Sequence, residues 1–76
     1  MTLYQGTIRI GDRVWLKPVE RSLYPPLARS ILKRYGSGPF LVRTSYLDSY
    51  EEFVRVRWPT GTKSGALYAT LFLKAE

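Results

Sequence analysis

The sequence contains no cysteine and no histidine. The absence of cysteine excludes disulfides, thiol nucleophiles and thiolate ligands for zinc, and the absence of histidine excludes imidazole acid/base chemistry. The adjacent carboxylates Glu51 and Glu52 point to opposite faces of a strand, so they cannot act as a catalytic pair there. We therefore expect a protein that is not an enzyme and that uses no metal and no cofactor.

The chain also lacks long apolar segments and a secretory signal. Its N-terminal residues, MTLYQGTIRI, contain neither a basic segment nor a continuous apolar one. Pro25, Pro26 and several glycines interrupt the sequence too often for a long amphipathic helix that lies on a membrane. The expected location is the cytoplasm, with no membrane partner.

The residues that are present suffice for one folded domain with a basic surface. A chain of 76 residues supports one hydrophobic core, so residues 1–76 are expected to form a single domain. The hydrophobic content of 45% is too high for a disordered segment. Twelve lysines and arginines against six acidic residues give a net charge of +6. This excess favours a polyanionic partner, either nucleic acid (DNA or RNA) or an acidic protein.

Three segments alternate apolar and polar residues, as strands with one buried face do. The first, residues 7–17, contains a break or bulge at Gly11 and Asp12. The second and third, residues 40–46 and 53–58, flank turn residues and are expected to pair as a hairpin. The inward residues are Ile8, Ile10, Val14 and Leu16 in the first strand, Phe40, Val42 and Thr44 in the second, and Val54, Val56 and Trp58 in the third.

The outward faces of these strands combine cations with large aromatic rings. Trp15 lies between Arg13 and Lys17, and the second strand directs Leu41, Arg43 and Ser45 outward. The candidate binding residues on this surface are Arg13, Trp15, Lys17, Arg43, Phe53, Arg55 and Arg57. Bases stack on aromatic rings while cations neutralise phosphates, so the mixture is typical of a nucleic-acid surface. A second interpretation stays open, in which the helix covers Trp15 or Phe53 and the arginines are merely solvated.

The segment PPLARSILKRYGSG predicts one short helix. Pro25 or Pro26 suits its first position and Gly36 its C-terminal cap. The helix is expected to dock on the sheet through Leu27, Ile31 and Leu32. Its exposed side then carries a basic ridge, the residues Arg29, Lys33 and Arg34. The ridge suits a phosphate backbone or an acidic protein, and an ordinary solvated face is the alternative interpretation.

The C-terminal part predicts a turn and a closing strand. WPTGTKSG is typical of a hairpin turn or loop, and ALYATLFLKAE suits one helical turn at residues 69–72 followed by a short strand, or else a plain strand. Together the elements predict a mainly β fold, a small five-stranded barrel with one short helix inserted after the first long strand.

The motifs GDRVWLK, GPFLV, VRVRW and LYATLFLKA, in this order, resemble Src-homology-3-like (SH3-like) barrel modules. They are similar to the C-terminal barrel of Ty3/gypsy-type integrases, which implies DNA binding, and to small stand-alone bacterial and phage barrels. The resemblance covers most of the chain but rests on turn glycines and core residues, so it implies the fold more than the function. The 76 residues contain no integrase catalytic domain, and DNA integration is not implied.

The sequence thus predicts a binding module that holds nucleic acid with low sequence specificity through its basic and aromatic surface. The alternative function is that of an adaptor or assembly protein, which would dock an acidic protein partner. A homo-oligomer is a further expectation, because small sheets with open edges pair readily.

Overall fold

Five strands and one α-helix form the part of the chain that the computed structural model describes, residues 8–75. The strands are β1 (Arg13–Leu16), β2 (Phe40–Asp48), β3 (Glu51–Arg57), β4 (Leu67–Tyr68) and β5 (Phe72–Lys74), and the helix α1 (Pro25–Tyr35) connects β1 to β2. Short 3-10 turns at Val19–Arg21 and Ala69–Leu71 precede α1 and β5. The predictions of a mainly β protein, an inserted helix and a helical turn before the closing strand are confirmed.

The strands form one antiparallel sheet in the order β4-β3-β2-β1-β5. β2 and β3 form the expected hairpin, with its turn at Ser49 and Tyr50. Within residues 8–75, β4 and β5 are the edges of the sheet and do not pair with each other. The sheet is therefore open, and the closed barrel expected from the sequence is not confirmed.

The hydrophobic core lies on one face of the sheet, which we call the inner face. Val14 and Leu16 of β1, and Trp58 just after β3, are buried there as the alternation predicts. Burial of apolar surface stabilises the fold by roughly 25 cal/mol per Å². The complete buried cluster is Ile8, Val14, Leu16, Ala28, Ile31, Phe40, Val42, Val54, Val56, Trp58, Ala69, Leu71 and Phe72.

The first strand is shorter than predicted. Residues 9–12 form a turn, in which the Arg9 N–H donates to the Asp12 carboxylate at 2.8 Å and the Asp12 N–H donates to the Arg9 carbonyl at 3.0 Å. The prediction of a break at Gly11 is confirmed, since its φ is +91°. The inward placement of Ile10 is wrong, because the turn leaves this side chain 67% exposed. Thr7, the predicted start of the strand, lies outside the described residues.

A β-bulge changes the faces of β2. Its pairing with β3 runs Val42 to Val56 and then Thr44 to Arg55, so Arg43 is the additional residue. The predicted inward position of Thr44 is wrong, because the bulge moves it to the face that Arg55 occupies. Ser45, predicted outward, pairs instead with the buried Val54 and shares its face.

The helix begins at Pro25 as predicted, and the Gly36 N–H closes it by donating to the Leu32 carbonyl at 3.0 Å. Its buried residues are Ala28 and Ile31. The expected docking through Leu27 and Leu32 is wrong, since both are exposed. Within residues 8–75, no helix has the length and apolar character needed to cross a membrane.

A stack of two aromatic rings determines which side of α1 faces the sheet. Tyr35 packs face to face on Trp58, with 4.0 Å between ring centroids and 4° between planes. Ala28 and Ile31 lie seven and four positions before Tyr35, so they share its side of the helix. The helix therefore packs on the inner face and leaves Trp15, on the outer face, 43% exposed. The interpretation in which the helix covers Trp15 is wrong.

Candidate functional site

The outer face of the sheet, opposite the core, carries a cross-strand row of cations. Arg13 of β1 pairs with Leu41 of β2, Leu41 pairs with Arg57 of β3, and Arg57 pairs with Lys63 in an isolated bridge. Directly paired residues have Cβ atoms about 5 Å apart. Three of these four neighbours are cations, so the row concentrates positive charge on one strip of the sheet.

The bulge adds a fourth cation to this strip. Arg43, Arg57, Gly61 and Lys63 line an open depression of about 310 Å³, which we call the cationic depression. Among the residues that the structure describes, its lining includes no carboxylate. Arginine presents a planar fork of donors that matches phosphate oxygens, and lysine adds a point charge. The depression therefore has the size, openness and charge for a phosphate group.

The loop after β3 brings Lys63 to this place. The Gly61 N–H donates to the Trp58 carbonyl at 2.8 Å, and the Trp58 N–H donates to the Thr62 carbonyl at 2.8 Å. This tight turn reverses the chain, so Lys63 returns alongside Arg57. The sequence-based set of binding residues omitted Lys63. The signal that identifies it is the predicted hairpin turn in WPTGTKSG, which folds the following residues back onto the strand.

A second cross-strand row is aromatic, and its Tyr68, together with Tyr24, also packs against the hydrophobic core. Tyr46, Phe53 and Tyr68 pair across β2, β3 and β4, and their ring centroids are 5.6 and 5.2 Å apart. Tyr24, just before α1, stacks on Tyr68 at 4.3 Å with 9° between the planes. Burial, followed by the neighbouring Tyr68 and Glu51, raises the pKa of Tyr24 above its usual value of 10.0. Phe53, a predicted stacking residue, lies between Tyr46 and Tyr68 and is half-buried.

Trp15 lies apart from this row. It pairs with Leu73 of β5, which is itself exposed, and none of the ring contacts found in residues 8–75 involves the indole. A tryptophan ring with free surface is a platform on which a base can stack. Lys17 continues the same side of the chain beyond β1, where its N–H donates to the Leu71 carbonyl at 2.9 Å and the residue is half-buried.

The predicted binding residues thus fall into two groups. The outer-face group is Arg13, Trp15, Lys17, Arg43, Phe53, Arg55 and Arg57, and the sheet register aligns most of it in rows. Arg55 pairs with Thr44 and is half-buried. The ridge residues Arg29, Lys33 and Arg34 are exposed as expected, but they lie on α1, which packs on the inner face.

Charge is distributed unevenly along β3. Arg57 and the cationic depression lie at its C-terminal end, whereas Asp48, Glu51 and Glu52 surround the β2–β3 turn at its N-terminal end. The Asp12 carbonyl accepts from the N–H of Val42, the residue before Arg43, at 2.8 Å, and the Asp12 carboxylate forms an ion pair of 3.5 Å with Lys74. Among residues 8–75, the acidic residues of the β2–β3 turn therefore lie at the opposite end of β3 from the cationic depression.

The chain matches no protein-family model, no curated protein and no solved structure. No residue role can therefore be carried over to it from a relative. A ligand for the outer face has to be argued from the charges, exposures and contacts of its own residues.

Proposed function

We propose that this protein is a non-enzymatic module that binds nucleic acid, with low sequence specificity, through the outer face of its sheet. The cationic depression carries the proposal, because it gathers Arg43, Arg57 and Lys63 around one open space, with no carboxylate from residues 8–75 in its lining. Three cations held close together repel one another, and on a passive surface nothing offsets this repulsion. A bound phosphate offsets it through its negative charge.

The neighbouring residues extend the phosphate site into a track. Arg13 continues the row across Leu41, and Arg55 lies two residues before Arg57 on the same face of β3. Positions two apart on a strand are separated by about 7 Å. This spacing is comparable to the distance between successive phosphates of an extended single strand, so adjacent phosphates can contact adjacent cations.

Trp15 supplies the aromatic component of the proposed interface. It follows Arg13 by two residues on the outer side of β1, and 43% of its surface is exposed. Stacking of a base on an aromatic ring is worth about 1–3 kcal/mol and accepts every base. Phosphate contacts and stacking both lack sequence information, and this is why we propose low specificity.

We also propose that the open sheet is a variant of the SH3-like barrel. The helix inserted between β1 and β2 and the 3-10 turn before β5 support this assignment, together with the motif order in the sequence. The hairpin of β2 and β3 and its bulge supply the strand bending that such a barrel requires. The fold leaves the choice of ligand open, since SH3-like barrels serve many functions.

The direct test is a titration of fluorescently labelled oligonucleotides, single-stranded and duplex, followed by anisotropy. If about four phosphates are contacted, the affinity should fall by about two decades between about 50 and 200 mM salt, because counterions are released on binding. Absence of binding to either probe at low salt would disprove the proposal.

Two variants locate the site, Arg57→Gln and Lys63→Gln. Each should weaken binding about fivefold at low salt and reduce the salt slope by about 1, because one phosphate contact is lost. Arg21→Gln is the matched control, since Arg21 is exposed in the first 3-10 turn and the variant has the same net charge. Equal losses in all three variants would indicate a general charge effect and would contradict the assigned site.

An acidic protein partner is the second candidate, and the basic ridge favours it. Arg29, Lys33 and Arg34 are exposed on α1, which docks on the inner face. Arg29→Gln combined with Lys33→Gln should leave oligonucleotide binding nearly unchanged if the outer face is the nucleic-acid site. A loss as large as that of Arg57→Gln would instead include the ridge in that site.

A further inference from the structure

The row of cations on the outer face ends at the cationic depression. Among residues 8–75, Lys63 pairs with Arg57 alone, and Arg57 pairs in turn with Leu41 of β2. The segment PTGTKSGA, residues 59–66, contains no charged residue except Lys63. A nucleic-acid strand that follows the cations from Arg13 toward Lys63 therefore meets no further cation of this loop beyond the depression.

The three cations of the depression are exposed and have no ion-pair partner. Arg43, Arg57 and Lys63 are all open to solvent, and within residues 8–75 none of them forms an ion pair with a carboxylate. Gly61 brings the turn close to one of them, because the Arg57 Nη2 atom lies 4.0 Å from the position that a Cβ atom of residue 61 would occupy. The depression therefore holds three positive charges without an ion-pair partner among the described residues.

The two kinds of phosphate in a nucleic acid differ in how well they match three cations. A phosphodiester within the strand carries one negative charge and has two free oxygens. A phosphate monoester at a strand end carries about −1.5 to −2 at pH 7, because its second pKa is about 6, and it has three free oxygens. Each of the three cationic side chains can therefore contact its own oxygen of a terminal phosphate. A phosphodiester lacks an oxygen for the third cation.

We propose that the cationic depression binds the terminal phosphate of a nucleic-acid strand, so that the protein prefers strands with a phosphorylated end. This inference rests on the proposed function, since the remainder of the strand lies along the outer face. Lys63 and Arg13 are separated by three strand spacings, about 14 Å, which corresponds to about two nucleotide steps of an extended strand. A strand whose end lies in the depression can thus contact Arg13 and bring a base to Trp15.

The test compares single-stranded decamers that differ only at their ends, with an internal fluorophore and anisotropy as the readout. The probes carry a 5′-phosphate, a 3′-phosphate or hydroxyls at both ends. One phosphorylated decamer should bind about fivefold more tightly than the hydroxyl decamer, and the favoured end gives the direction of the strand. A hydroxyl-ended dodecamer adds a similar charge as internal phosphates, and it should bind less than about twofold more tightly than the hydroxyl decamer.

The outcomes separate this inference from the proposed function. Equal affinity of the phosphorylated and hydroxyl decamers would disprove the end preference, while their binding would still support the proposed function. Absence of binding by every probe would disprove both. An equal gain from the dodecamer would show that added charge alone determines affinity, and would disprove the end preference. A phosphoserine peptide that displaces the phosphorylated decamer as well as unlabelled decamer does would assign the depression to a phosphorylated protein and overturn the proposal.

Variants locate the end preference within the row of cations. Arg43→Gln and Lys63→Gln should each reduce the affinity ratio of phosphorylated to hydroxyl decamer from about five to below about two, because one contact to the terminal phosphate is lost. Arg13→Gln is the matched control, since it removes the same charge at the other end of the row. It should weaken both decamers equally and keep the ratio. A ratio that falls equally in all three variants would contradict the assigned position of the terminal phosphate.

Discussion

Ser64 is a polar side chain buried beneath the loop that follows β3, with 5% of its surface exposed. Its hydroxyl accepts from the Val56 N–H at 2.9 Å and donates to the Gly65 carbonyl at 2.8 Å. The Ser64 N–H donates in turn to the Val56 carbonyl at 2.8 Å. Ser64 thus provides hydrogen-bond partners for both the N–H and the carbonyl of Val56, at a point on β3 where no residue of a neighbouring strand does so.

Ser64→Ala should destabilise the fold by about 1 to 3 kcal/mol, because the Val56 N–H is left buried without a partner. The measurement is urea unfolding followed by tryptophan fluorescence. Ser30→Ala is the control, since Ser30 is exposed in α1 and alanine is the better helix former there. Equal stabilities of Ser64→Ala and the parent protein would show that water replaces the hydroxyl.

At the scale of elements, Gly38 determines how closely the segment after α1 approaches β1. Its φ is +105°, and a Cβ atom built there would lie 2.9 Å from the Val14 carbonyl oxygen and 3.1 Å from the Phe40 nitrogen. Both neighbours are backbone atoms in strands, so neither can move aside easily. Any side chain at position 38 therefore disturbs the pairing of β1 with β2.

Gly38→Ala should cost about 2 kcal/mol or more, from the disfavoured φ together with the contact at Val14. Gly65→Ala is a matched control, because within residues 8–75 no atom beyond Gly65 and its two chain neighbours lies within 4 Å of its Cβ position. The comparison is made by thermal unfolding of both variants. A Gly38→Ala protein as stable as Gly65→Ala would mean that the segment can shift away from β1.

The elements could largely be predicted from the sequence where their signals are local. The helix at residues 25–35 follows from its proline start and glycine end, and the turn at residues 49–50 from the residues around it. The start of β1, the bulge at Arg43 and the rotation of α1 could not be predicted. Each depends on a distant partner, as when Tyr35 stacks on Trp58 and thereby exposes Leu32.

The candidate site was predictable in its residue types and not in its grouping. Alternation correctly directed Arg13 and Trp15 outward. It could not show that Lys63 joins Arg57, because that neighbourhood depends on the turn at Gly61. The alternation also predicted that the Phe53 ring is exposed for stacking, whereas the pairing of β2, β3 and β4 places this ring between two tyrosines.

At the scale of the whole molecule, Asp12 links the two ends of the described chain. Its carboxylate accepts from the Arg9 N–H and pairs with Lys74 of β5 at 3.5 Å. The Arg9 N–H is the largest cause that lowers the pKa of Asp12 below its usual value of 3.8, and Lys74 adds to the effect, while burial opposes it. The folded state therefore favours the charged carboxylate.

Asp12→Asn should make the stability of the protein depend less on pH in the acid range. A lowered pKa stabilises the fold above the unfolded value of 3.8, and this contribution is lost as the pH falls through the folded pKa. The variant should be less stable than the parent at pH 7, and the gap should narrow below about pH 4. The measurement is Tm between pH 7 and pH 2, with the exposed Glu20→Gln as control. A gap that is constant with pH would show that the carboxylate charge has no role.

The separation of charge along β3 gives the molecule an electric dipole. Glu51 and Arg57 are six residues apart on one strand, which is about 20 Å. In the field of a polyanion, the protein should orient so that the cationic depression faces the polyanion and the β2–β3 turn faces solvent. The β2–β3 turn would then stand about 20 Å from the polyanion, at a distance fixed by the length of a single strand.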